Sequence, residues 1–340
     1  MKWIAPVMLT DTSKIHDPVL YHDWHVVARS DDVGNRSLLT VHLLGEQILL
    51  WRCNQDVLAW QDRCPHRGVP LSRGWVEQRE QGDCVVCPYH GLAFNQAGDC
   101  VHAPANPCLT SFPKHANVRT YAVQEKYGYL WVALGEPHHD IPTFPEWEQP
   151  DFISFNCGPY FINASPLRIV ENFTDFAHLP FTHQDLLGSP EYAEISDYAV
   201  TVDDDGITAH DVRVYQPNPD GTGAAKYVSY TCQIRRPLIA YFIKGDGMGQ
   251  FSMFLAVTPV EESRSIARLG ICRNYAFETP NDELEAFQNH LMSQDIPMLE
   301  SQRPQGLPLD LQAEFHIPAD KLSLTYRKWL KQLGLKFGTY

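Results

Sequence analysis

A chain of 340 residues is long enough for two domains, each with its own core, and 44% hydrophobic and 20% charged residues are ordinary for a soluble globular protein. Its formal net charge of -14 argues against nucleic acid or an anionic membrane as the main partner. No apolar run approaches the roughly 20 residues that span a bilayer. Met1-Lys2-Trp3-Ile4-Ala5-Pro6 lacks the apolar core and cleavage site of a signal peptide, and the nine cysteines read as reduced thiols, so a cytoplasmic location is expected.

Residues 1–17 show no strong period and are expected to pack on the second domain or on a neighbouring subunit. From Trp24 onward, short β-rich runs alternate with turns: Leu38–Leu44, Gln47–Cys53 and Val57–Trp60, separated by Gly45-Glu46 and Asn54-Gln55-Asp56. Cys84–Cys87 reads as a strand, Leu92–His102 as a hairpin, and Tyr129–Leu134 closes a small antiparallel domain over 18–135. Residues 136–150, rich in Pro and acids, read as a linker; His138-His139-Asp140 within it is expected to be solvated. The second domain, 151–340, opens with a helix over Arg168–Leu179. Strands follow at Val200–Val202, Ile207–His210, Tyr227–Thr231, Phe251–Val257 and Arg268–Tyr275. Asp282–Glu300 reads as a helix capped by Asn281 or Thr279 and kinked at Pro297, and Leu322–Leu335 as the last helix. The fold class is α+β, an all-β domain followed by an antiparallel sheet covered by helices.

Two short turns carry chemistry, Cys64-Pro65-His66-Arg67-Gly68 and Cys87-Pro88-Tyr89-His90-Gly91. Two thiolates and two neutral imidazoles suit a 2Fe–2S cluster, with Cys64 and Cys87 on one iron and His66 and His90 on the other. Structural zinc competes, since Cys2His2 is also a zinc set, but a finger places its two His together on a helix. Cys84-x-x-Cys87 could also bind metal by itself. A second constellation is Asn172, Asp175, His178 and His183. Five residues rotate a helix by about 140°, so the two His do not share a regular helix face. Pro180 between them should distort or end the helix and let both rings turn to one point. Two His and a carboxylate on one side of an iron leave positions open for dioxygen and substrate.

Cys-Pro-His-Arg-Gly with Cys-Pro-Tyr-His-Gly resembles the cluster motif of the Rieske non-haem iron oxygenases. Asn-x-x-Asp-x-x-His-x-x-x-x-His resembles their mononuclear-iron motif. The resemblance implies an N-terminal Rieske domain, a C-terminal catalytic domain, and Cys87 as the ligand, with Cys84 left as a structural thiol. It implies Asp295 as the third iron ligand, ahead of Asp282 and Glu300. Gln288, Leu291 and Met292 precede Asp295 at helical spacings and are expected in the substrate-pocket wall. It further implies that Asp175 bridges His178 or His183 to His90 of the next subunit in a head-to-tail trimer. Glu171–His178, Glu300-Ser301-Gln302 and Tyr326–Leu330 are similar to the demethylase-like branch, which includes vanillate and caffeine demethylases and oxygenases of the saxitoxin pathway.

No Gly-x-Gly-x-x-Gly fingerprint follows a strand and no four-Cys ferredoxin pattern is present, so NAD(P)H can contribute only through a separate ferredoxin or flavin-containing reductase. Arg52, Arg63, Arg67, Arg73 and Arg79, with Lys328, Lys331 and Lys336, are the candidate docking cations. The expected function is a terminal oxygenase that hydroxylates or oxidatively N-/O-demethylates a small organic substrate, with 2Fe–2S cluster, mononuclear Fe(II) and dioxygen. Ring cis-dihydroxylation and pure electron transfer are the alternatives.

Overall fold

The computed structural model describes residues 17–80, 82–218, 224–245 and 249–340. The chain enters through a single turn, α1 (Pro18–Tyr21), whose N-cap Asp17 accepts from Val19 N–H at 3.0 Å. Ten strands follow: β1 (His25–Arg29), β2 (Leu38–Leu43), β3 (Glu46–Cys53), β4 (Asp56–Gln61), β5 (Trp75–Arg79), β6 (Gly82–Val86), β7 (Ala93–Phe94), β8 (Cys100–His102), β9 (Thr120–Lys126) and β10 (Tyr129–Ala133). They form a six-stranded sheet, β1-β10-β9-β4-β3-β2, and a four-stranded sheet, β5-β6-β7-β8. Strand β3 shows why its sequence carries apolar residues almost without a break. Leu49, Trp51 and Cys53 face one core and Ile48 and Leu50 another, as period-two alternation requires of a strand buried on both sides.

The second domain is built on a seven-stranded antiparallel sheet, β11-β17-β16-β15-β14-β13-β12. Its strands are β11 (Ile153–Ile162), β12 (Ala199–Asp203), β13 (Gly206–Gln216), β14 (Lys226–Arg236), β15 (Ile239–Gly245), β16 (Gln250–Glu261) and β17 (Arg264–Arg273). Helix α2 (Pro166–Thr174) lies on the sheet against β15, β16 and β17; the single turn α3 (Leu179–Thr182) follows it. Helix α4 (Asn281–Ser301) packs on β11 and buries Gln288, Leu291, Asp295 and Leu299, one stripe at helical spacing. Helix α5 (Lys321–Leu333) packs on α2 and β13 and ends at Gly334 in the left-handed conformation (φ 74°). No helix among the described residues is long and apolar enough to cross a membrane.

One apolar core runs through both domains, from Val27, Leu43 and Leu44 to Leu167, Val257 and Leu269. Backbone bonds cross the junction as well, with Leu44 N–H on Pro259 O (2.7 Å) and Gly45 N–H on Val260 O (3.0 Å). The buried Arg268 donates to Val27 O at 2.9 Å and to Thr258 Oγ1, which itself donates to Val26 O. Residues 136–150, expected as a linker, send Ile141 and Phe144 into a core with Trp24, Trp131 and Phe254. His138, His139 and Asp140 are exposed, as expected, with the His138 ring stacked on His22 at 4.5 Å. Residues 1–16 lie outside the described residues.

Several elements depart from the sequence reading. The helix expected over Arg168–Leu179 stops at Thr174, because Asp175 leaves helical geometry (ψ 126°) and turns its carboxylate onto Ala177 N–H at 2.8 Å. Pro180 does not break a helix; it sits in the first turn of α3, where its missing N–H costs nothing. The cap of α4 is Pro280, without a side-chain bond, and not Asn281 or Thr279. Strands β5, β9, β11 and β15 escaped the sequence reading. In β11 the alternation is broken by Gly158-Pro159, where the pairing with β17 shifts register.

Candidate metal centres and substrate chamber

The two Cys/His turns are copies of one local design. In each, the Cys N–H donates to a carbonyl five residues on, Cys64 to Val69 (2.8 Å) and Cys87 to Leu92 (2.9 Å). In each, the Cys carbonyl accepts from a Gly four residues on, Gly68 at 2.9 Å and Gly91 at 3.0 Å. Both glycines have positive φ, 75° and 68°, which explains the terminal Gly in both motifs. The turns bring Cys64 and Cys87 together in the core between the two sheets, with Trp51, Trp60 and Phe94, while His66 and His90 stand at the surface with ring centroids 4.6 Å apart. Burial, and then the neighbouring Cys87, push the Cys64 thiol up. Two buried facing thiols need a cation to become thiolates, and two imidazoles beside them complete a donor set that fits a 2Fe–2S cluster. Cys84 is packed elsewhere, with Val86 and Ala93, and its Sγ approaches Gly82 O at 3.7 Å.

The second centre is assembled from distant parts of the chain. His178 is the N-cap of α3 and His183 its C-cap, so one helical turn brackets the pair and brings the rings to 5.3 Å. Asp295, on the buried face of α4, meets both: its Oδ1 lies 3.2 Å from His183 Nε2 and 3.7 Å from His178 Nε2. The three donors lie within 4.8 Å of one another, and they are the one such group of three among the described residues. Asp282 is exposed at the start of α4, and Glu300 accepts from Asn163 N–H and Nδ2 at 2.9 Å, so neither reaches the histidines. The convergent donor set fits a divalent iron with positions left open.

Both imidazoles are held from behind. Asp175 Oδ2 stands 3.3 Å from His178 Nδ1, and Gln294 Oε1 stands 2.7 Å from His183 Nδ1. Neither carbonyl-type oxygen has a proton to give, so each selects the Nδ1–H tautomer and leaves the Nε2 lone pair facing Asp295. For His183 burial disfavours the charged form, but the bonds to Asp295 and Gln294 outweigh it and raise its pKa. Asn172 Nδ2 is 3.5 Å from Asp295 Oδ1. Gln294 was missed in the sequence, where its place beside Asp295 was the available signal. Helix α2, which leads into this centre, is clamped by buried charges: Arg327 makes two bonds to Glu171 (2.6 and 2.8 Å) and one to Glu314 (2.7 Å), while Arg168 reaches Glu314 at 2.8 Å.

A chamber opens in front of these donors. Gln288, Leu291 and Met292 lie in its wall with Asp295, joined by Phe173, Phe176, Tyr230, Phe242, Met253 and Leu255, which the sequence could not assemble. Of the candidate docking cations, Arg63, Arg67 and Arg73 are exposed in or beside the cluster turns, and Lys328, Lys331 and Lys336 are exposed on α5 and beyond, in the second domain. Arg52 is committed to Ser30 O, Val33 O and Glu125, and Arg79 to Glu77.

Residues 23–113 match the Rieske [2Fe-2S] domain, and residues 162–336 match the vanillate O-demethylase oxygenase C-terminal domain. The chain therefore belongs to the Rieske non-haem iron oxygenases, oxidoreductases that incorporate oxygen from dioxygen. Within them it falls in the branch with a vanillate O-demethylase-type catalytic domain. It is 30% identical over 330 residues to methylxanthine N1-demethylase NdmA of Pseudomonas putida, covering 92% of this chain and 89% of that protein. The solved structure of Pseudomonas putida CBB5 NdmB superposes with a TM-score of 0.79 at 28% identity, covering 94% of this chain and 92% of that one. A shorter match, 35% identical over 118 residues, relates 34% of this chain to 19% of the oxidoreductase NdmD of Pseudomonas putida. The chain is thus a terminal oxygenase that hydroxylates or oxidatively N-/O-demethylates a small organic substrate, with a Rieske 2Fe–2S cluster and mononuclear iron as cofactors and electrons supplied from outside. The second domain sets aside the pure electron carrier, and the relatives do not favour ring cis-dihydroxylation.

Proposed function

We propose that Cys64, His66, Cys87 and His90 hold the cluster and that His178, His183 and Asp295 hold the mononuclear iron of an oxidative demethylase. The convergence of two Nε2 atoms and one carboxylate oxygen at the mouth of an apolar chamber carries this reading. Bound iron would supply activation of dioxygen at that mouth. The chain's own residues do the rest. Asp175 and Gln294 fix the tautomers, Asn172 donates toward Asp295 and restrains it, and the aromatic wall excludes water from the reacting carbon. The overall change balances as one dioxygen, two electrons and two protons: one oxygen enters the N- or O-methyl C–H bond, the other leaves as water. The resulting hemiaminal or hemiacetal breaks its C–N or C–O bond and releases formaldehyde.

The exposed edges of His66 and His90 suit electron entry from a separate ferredoxin or flavin-containing reductase, with Arg63, Arg67 and Arg73 as its nearby cations. Asp175 keeps a third of its side chain exposed while it holds His178, so its free face is available to His90 of another copy in a head-to-tail trimer. Nine cysteines with no disulfide among them suit a reducing cytoplasm.

The test is metal content joined to isotope tracing. Parent protein should carry three irons per chain, and a methylated substrate, reductase and labelled dioxygen should put the label into formaldehyde. Formaldehyde oxygen drawn entirely from water would count against oxygenation, after trapping faster than hydrate exchange. Gln294→Leu should lower mononuclear iron affinity about tenfold with the cluster unchanged.

A further inference from the structure

The chamber is walled mostly by apolar residues, and lining residues with a polar side-chain group, other than the metal donors and Asp175, are few: Asn172, Gln288 and Tyr230. Tyr230 lies on the inner face of β14, its ring packed against Phe176 (5.1 Å) and Phe242 (5.3 Å), and it pairs in register with Lys244 of β15. Behind it runs a short relay. Lys244 Nζ donates to Gln216 Oε1 at 3.1 Å, and Gln216 Nε2 donates to Tyr230 Oη at 2.8 Å. Gln216 and Tyr230 are buried, so the bond between them is shielded from water, while Lys244 at the far end is half-buried.

The direction of the relay is fixed by chemistry. An ammonium has only protons to give, so the carbonyl end of Gln216 must face Lys244 and its NH2 end must face Tyr230. The phenol oxygen therefore accepts, and its own proton is left to donate. Among the described residues no protein acceptor takes that proton. Burial pushes the phenol well above its ordinary range, so the proton stays on oxygen. The cation at the far end polarises both links in the same sense.

We propose that the Tyr230 hydroxyl, oriented by Gln216 and Lys244, is the specificity-determining donor of the chamber. It selects a flat, neutral substrate carrying a ring carbonyl or ring nitrogen acceptor over one of the same shape without it. A cationic substrate finds no free carboxylate, because those lining the chamber, Asp175 and Asp295, belong to the metal centre. The inference rests on the chamber being the substrate site, but not on which residues bind iron.

The experiment compares two flat probes of matched shape, 1-methyl-2-pyridone and o-xylene, which differ by a carbonyl in place of one C–CH3 and N–CH3 in place of the other. Their dissociation constants are measured by ligand-observed NMR on the metal-loaded protein, without reductant or oxygen, so that no turnover is needed. Tyr230→Phe should lower the pyridone-to-xylene affinity ratio about tenfold, with xylene binding held within about twofold. Lys244→Met leaves the phenol in place but frees the Gln216 amide to turn its carbonyl to Tyr230, and should lower the ratio roughly threefold. An unchanged ratio in both variants overturns the proposal. So does a parallel loss of both probes, which would mark Tyr230 as packing only, or failure of the pyridone to bind the parent protein at millimolar concentration. Iron analysis of the same samples keeps the two readings apart. If Asp295 is not an iron ligand, the Asp295→Ala variant keeps its full iron content, and the probe ratios of the Tyr230 and Lys244 variants stand unaffected.

Discussion

The two candidate metal sites of this chain are built on opposite plans. The cluster turns close on themselves: each Cys bonds to residues four and five positions away, and the two turns meet within one small domain. The mononuclear centre is not local. It needs α2 seated on the sheet with α3 following it, α4 laid against β11, and side chains from these distant segments arriving within a few ångströms. A site of the first kind is specified by spacing. A site of the second kind is specified by the packing of a whole domain, and it inherits that domain's sensitivities.

Ligand removal should break the comparison most sharply. Asp295→Ala should abolish mononuclear iron and turnover while the visible spectrum of the cluster remains, and Cys64→Ala should remove that spectrum. Retained iron and activity in Asp295→Ala would show that another carboxylate serves. Next comes Asp175→Asn, which keeps shape but replaces a charged acceptor by a weaker neutral one. Reoxidation of the pre-reduced cluster, with substrate and oxygen present, should slow by roughly 10- to 100-fold, at normal reduction by the donor. Stopped-flow traces matching the parent would rule out the bridge.

Two stability variants sharpen the contrast further. Arg327→Met leaves the buried Glu171 without its two bonds and should cost roughly 3–5 kcal/mol by denaturant unfolding. Iron at the second site should be depleted before the cluster, because α2 carries the strain and the cluster turns do not touch it. Gly91→Ala is the local counterpart and the smallest effect. Its Cβ would meet Pro104 Cγ at 2.9 Å in a left-handed backbone, for about 1–2 kcal/mol. Cluster occupancy should fall there with mononuclear iron unchanged.

The sequence carried the site further than it carried the fold. Cys64, His66, Cys87 and His90 could be grouped from the sequence as one candidate set, and the structure brings them together, because the geometry of each turn is made by the residues between them. His178 and His183 were legible as a pair, but for the wrong reason: the helix does not bend at Pro180, it ends at Asp175 and restarts. Asp295 required the resemblance, since nothing in one strand of sequence ranks it above Asp282 or Glu300. Strand β15 went unread although it carries Phe242 and Lys244. Gln294 and the Gln216–Tyr230–Lys244 relay were invisible because they depend on register across three strands and on contacts between distant segments.

The Arg268 junction has a mechanical consequence. A guanidinium buried between Val27 O and Thr258 Oγ1, inside a core continuous across both domains, leaves no hinge about which one could swing. The two domains should then melt together, as a single calorimetric transition whose van't Hoff and calorimetric enthalpies agree. A fragment cut after Ala133 would lay Val27, Leu43 and Leu44 open to water, and should be recovered from cells as aggregate rather than as a small red iron–sulfur protein.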